Sequence, residues 1–136
     1  MAGGWHVLLE SELPGIVVSS DTGKSLLYYH HQIDHLASEL GVPTLSGFFR
    51  PDRAAVAAFL SSQGVEPDDD ALPDEEWFEA YDGLLTIRGL LERLRGDPAA
   101  VPQGKKVVAE LEELERVLVP AEISGVRFRL TRKIGS

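Results

Sequence analysis

The chain contains no cysteine. Disulfides, thiolate metal sites and a cysteine nucleophile are therefore excluded. No apolar run approaches the ~20 residues that a membrane-spanning helix needs. The start, Met1 to His6, has neither the basic nor the apolar region of a secretory signal. These absences lead us to expect a cytoplasmic protein with no membrane partner. Positive charge is missing from one long stretch. Between Arg53 and Arg88 there is no Lys or Arg, while Glu66, Asp68, Asp69, Asp70, Asp74, Glu75, Glu76, Glu79 and Asp82 all fall there. The other end is the reverse: Arg127, Arg129, Arg132 and Lys133 follow with no acid after Glu122. The net charge of −9 argues against a nucleic-acid-binding module, because phosphate contacts need a basic surface.

What is present suits one globular domain over residues 1–136. Helical spacing dominates. From Pro73 to Arg95, Trp77, Tyr81, Leu84, Ile87, Leu91 and Leu94 recur at three and four, with Phe78, Leu85 and Leu90 widening the stripe. This predicts the central helix, opening at Pro73 or Asp74. Gly83 and Gly89 inside it point to close approach of a neighbour or to a kink.

Ser25 to Leu40 predicts another helix, with Leu26, Tyr29, Ile33, Leu36 and Leu40 inward and Gly41 as its stop. A third is predicted from Pro51 to about Gln63, burying Val56, Phe59 and Leu60. The last is predicted from Lys105 to Ala121, with Val107, Leu111, Leu114, Leu118 and Ala121 as its stripe and Pro120 at its fraying end. Glu112 and Arg116 are spaced for an ion pair along it. Phe48 and Phe49, on the connector 44–50, should tuck under the domain.

Trp5–Glu10 and Val126–Thr131 alternate as strands. An unpaired strand leaves its ladder groups unsatisfied, so the two should pair, with His6 and Glu10 sharing the outer face with Arg127 and Arg129. The expected fold is α+β and mostly α: about four helices around a central one, with a small antiparallel sheet made by the two chain ends.

Three patterns bear on chemistry. Gly23-Lys24-Ser25 looks like the end of a phosphate-binding loop, but that pattern needs a glycine at position 18, where Val18 stands. It reads instead as a turn and helix start. His31 and His35 lie one turn apart on the polar side of their helix, with Glu39 a turn further, while His30 sits at the core edge. Such a row can chelate a divalent metal, although a third or fourth ligand is not evident. The acidic run is the third pattern. Asp68, Asp69, Asp70, Glu75, Glu76 and Glu79 offer a surface for a basic protein partner, where charge mainly speeds association. No serine–histidine–aspartate, HExxH or dinucleotide-binding pattern is present.

Trp5–Ser11, Leu45–Phe49, Trp77–Phe78 with Gly83–Leu91, and Gly125–Leu130 together resemble a family of small bacterial proteins. That resemblance spans nearly the whole chain and implies no assigned activity and no site residue. In size and acidity the chain is also similar to immunity proteins of bacterial toxin systems. The leading expectation is a non-enzymatic interaction or accessory protein, immunity-like, without a cofactor. The alternative is a metal-binding protein or metal-assisted hydrolase centred on His31 and His35.

Overall fold

Two short alternating stretches, one near each end of the chain, frame the molecule. The computed structural model describes residues 4–16, 23–50, 53–66, 68, 72 and 76–132. Strand β1 is Trp5–Leu9 and strand β2 is Phe128–Arg132. They pair antiparallel, with Val7 opposite Leu130 and Leu9 opposite Phe128. Trp5, Val7, Phe128 and Leu130 are buried on the inner face. The two chain ends thus make the expected sheet.

β2 is more than half of a hairpin. Phe78 flanks its other edge: its N–H donates to Phe128 O at 2.8 Å and its carbonyl accepts from Phe128 N at 2.9 Å. Phe49 lies beside Leu130, and Arg50 N–H donates to Leu130 O at 2.9 Å. β2 is therefore bonded on both edges, which answers the ladder-group problem that two lone strands would pose.

Among the described residues five α-helices lie between the strands: α1 Lys24–Tyr28, α2 His30–Leu40, α3 Arg53–Ser62, α4 Ala80–Gly96 and α5 Gly104–Ser124. The fold is α+β and mostly α. α4 carries the core, burying Ala80, Leu84, Ile87, Leu90, Leu91 and Leu94. It packs antiparallel to α5, whose Val107, Leu111, Leu114, Leu118 and Ala121 are all buried. Full burial of each such leucine, isoleucine or valine is worth about 1.5–3 kcal/mol. Phe48, Phe78 and Phe128 close the sheet end of the core, with ring centroids 5.3–6.4 Å apart. Phe48 is buried and Phe49 half-buried against Trp5, so the connector does tuck under the domain.

Three helices end alike. Gly41, Gly64 and Gly125 take the left-handed conformation, and the valine after each donates to the carbonyl five residues earlier.

The structure departs from the sequence reading at several places, Leu40 among them, which is exposed rather than inward. α4 starts at Ala80, not at residue 73 or 74. Glu79 is extended, because Phe78 is committed to β2, and Trp77 therefore lies outside the helix. Tyr81 is 58% exposed; at about 100° per residue it falls roughly 120° from Ile87, off the stripe. Leu85 is exposed for the same reason. The helix expected from Ser25 to Leu40 is broken at Tyr29. Phe59 is 59% exposed, and none of the described side chains of α3 is buried. α5 runs past Pro120 to Ser124 and ends only at Gly125, which supplies the left-handed cap. Arg116 pairs with Glu113, while Glu112 pairs across with Arg95 of α4 at 2.8 Å.

Candidate functional site

The polar face of α2 exists as expected. His31, His35 and Glu39 are exposed, and His30 is half-buried. His35 Nε2 lies 2.8 Å from Glu39 Oε1, so these two meet. His31 does not join them: its ring sits 4.0 Å from that of His30. His30 Nδ1 donates to Leu27 O at 2.8 Å, and its ring packs beside Trp5. His30 is thus the core-edge residue that its position suggested. Among the described residues no three His, Asp or Glu side chains converge on a point where a metal ion would sit.

The acidic run is only partly described; Asp69, Asp70 and Glu75 lie outside the described residues. Asp68, Glu76 and Glu79 are exposed. Glu76 is engaged by Arg50, whose Nε and Nη2 donate to Oε1 at 2.9 and 2.6 Å. Arg50 also covers the Phe78 ring at 5.0 Å. Glu76 therefore ties the connector to the segment before α4. Beside the run, Phe59 of α3 and Val65 just beyond the helix are both exposed.

Gly23-Lys24-Ser25 does open a helix, and an anion does sit there. It is the chain's own: Glu110 of α5 accepts from Ser25 N at 2.9 Å and from Leu26 N at 3.1 Å. Those two donors, which a phosphate would have used, are occupied.

The outer face of the sheet holds what the sequence concealed. Glu10 and Arg127 share it as expected, and they also pair, Arg127 Nε donating at 3.2 Å. Arg129 was expected on the same outer face, and it lies there, but covered. It is 4% exposed, with its guanidinium 4.4 Å over the Trp77 ring. Alternation placed Arg129 on this face, but nothing local told that Trp77 leaves the helix to cover it. Glu110 was equally hidden, since it acts on residues 85 positions away.

The resolved pKa shifts belong to surface ion pairs. The hydrogen bond from Arg116 draws the Glu113 carboxyl below its ordinary value, and the same bond raises Arg116. Glu10 raises Arg127 in the same way. The first pair lies along α5 and the second joins the two strand ends, and neither has the form of an acid–base couple in a cleft. Among the described residues no helix is long and apolar enough to cross a membrane. Compared with protein-family models, curated proteins and solved structures, the chain matches none.

Proposed function

We propose that the protein is a non-enzymatic cytoplasmic binder, accessory or immunity-like, that docks a basic protein partner through its acidic surface. One observation carries this reading. α3 leaves Phe59 exposed, with Val65 also exposed just after it, and the acids Glu66 and Asp68 follow directly. An apolar anchor rimmed by charge is the composition of a docking patch. The aromatic supplies contact area, and the carboxylates steer a basic partner into place. Glu76 contributes less, because Arg50 already meets it.

The test uses the whole chain as bait, alongside Phe59→Ser and Glu66→Lys. Both residues are exposed, so both variants should keep the parent fold. The expected result is one basic partner, an association rate that falls with added salt, and weaker binding in each variant. Binding indifferent to salt and to both substitutions overturns the reading.

A further inference from the structure

Three lysines stand near one another without a counter-ion. Lys24 opens α1, and Lys105 and Lys106 lie in the first turn of α5. They are all the lysines among the described residues, and each is exposed. Among those residues none of the three makes an ion pair or a side-chain hydrogen bond. The arginines differ: Arg50, Arg88, Arg93, Arg95, Arg116 and Arg127 each meet a carboxylate. With 22 acidic against 13 basic side chains, counter-ions are plentiful, so cations left unpaired at one spot call for a reason. Local stability does not supply it. α5 has no acid in its first turn and no side-chain cap, and basic residues at that end oppose the helix dipole.

Lys24 and Lys106 come from different helices and line one depression of about 300 Å³, with Ser25, Tyr28, Tyr29 and Gln103. Every one of those side chains carries a hydrogen-bond donor, and none is a carboxylate. The next acid along α5 is Glu110, one turn beyond Lys106. Its carboxylate is turned to the α1 backbone, where it accepts from Ser25 N and Leu26 N. Those backbone donors are spent, so side chains must hold any anion here. Tyr28 is 77% exposed, and its ring meets that of Tyr29 edge-on at 4.7 Å. An aromatic left so open offers a face on which another ring can stack.

We infer that this depression binds a small phosphate monoester with a planar ring, its phosphate between Lys24 and Lys106 and its ring against Tyr28. Two lysines select a dianion over a carboxylate. The net charge of −9 does not forbid this, because salt largely screens exposed acids farther than ~8 Å away. The volume lies at the small end of ligand pockets, which suits one ring and one phosphate. The site does not rest on the acidic docking patch, and either can fail alone.

Phenyl phosphate is the probe, with inorganic phosphate, benzoate and phenol as controls, read by thermal melting and calorimetry on the whole chain. Phenyl phosphate should raise the melting temperature as its concentration rises. Inorganic phosphate, without the ring, and benzoate, without the second charge, should bind more weakly, and phenol not at all. Lys24→Met and Lys106→Met lose no partner within the chain. Each should therefore melt no lower than the parent without ligand and bind phenyl phosphate at least ~10-fold more weakly. Tyr28→Ala should weaken phenyl phosphate and leave inorganic phosphate unchanged. A lysine variant that melts well below the parent reveals a partner inside the chain and overturns the site. A parent silent toward millimolar phenyl phosphate overturns it too, as does undiminished affinity in the lysine variants. Inorganic phosphate binding as tightly as the ester would remove the ring from the site and with it the inference.

Discussion

Glu110 does for α1 what a serine or aspartate just before a helix does elsewhere. The residue at the cap position is Gly23, which has no side chain to offer. The carboxylate comes from α5 instead and accepts two of the four backbone donors that any helix start leaves open. One side chain therefore caps a helix and ties it to the core pair. We expect Glu110→Ala to cost about 1–2 kcal/mol, the upper range for a lost cap, because two N–H groups are left part-buried. Glu110→Gln keeps an acceptor and should cost clearly less. Urea melts of the three chains decide it, and equal loss in both variants would mean that packing, not capping, is what Glu110 supplies. Ser25 and Leu26 show their need for an acceptor in the sequence, through the turn residues before them. The residue that meets it is legible only once α5 is folded beside α1.

The helical elements were legible where one face repeats and no tertiary partner competes. α5 is the clean case: its five expected core residues are all buried, with Val117 and Gly104 added to them. The start of the central helix was misread because residues 77–79 have helical spacing but a better use as a strand-like edge for Phe128. α3 was misread for the opposite reason. Its apolar spacing was real, yet none of its described side chains is buried, so pattern alone placed Phe59 inward. The two glycines of α4 separate cleanly at this scale. A Cβ on Gly83 would stand 2.5 Å from the Phe128 ring and 3.1 Å from Leu118. Gly83→Ala should gain about 1 kcal/mol of helix propensity and lose more to overpacking, for a net destabilisation of about 1–2 kcal/mol. Gly89 faces only Val42, at an ordinary 3.5 Å. Gly89→Ala should be neutral or stabilise by up to about 1 kcal/mol. Thermal melts of both variants check this, and a Gly83→Ala chain more stable than the parent would refute the close approach.

At the scale of the molecule, the last strand joins the chain together. β2 bonds to β1 from the beginning of the chain, to Phe78 from the middle and to Arg50 after the 3₁₀ turn Leu45–Phe48. The pairing of the two ends was legible from alternation and from the ladder groups each strand must satisfy. The two further partners were not, because Phe49 and Phe78 carry single bridges with no strand pattern of their own. Phe128 is the centre of this junction: it fills the space that Gly83 leaves, meets Phe48 and Phe78, and is 1% exposed. Phe128→Ala should cost about 3–5 kcal/mol, the usual loss for a buried phenylalanine. Deleting Val126 to Ser136 should do more. It leaves β1 without its ladder, uncovers Trp5 and Val7, and strips Phe78 and Arg50 of their backbone partners. Domains of this size are held by only ~5–15 kcal/mol in total, so that product should be unfolded or aggregated rather than merely weakened. By contrast Arg127→Ala removes an exposed ion pair and should leave the melting transition close to the parent's. Circular dichroism and urea melts of the three chains give the order. A truncated chain that keeps the parent's cooperative transition would show that the helices stand alone and that β2 is an ornament on them.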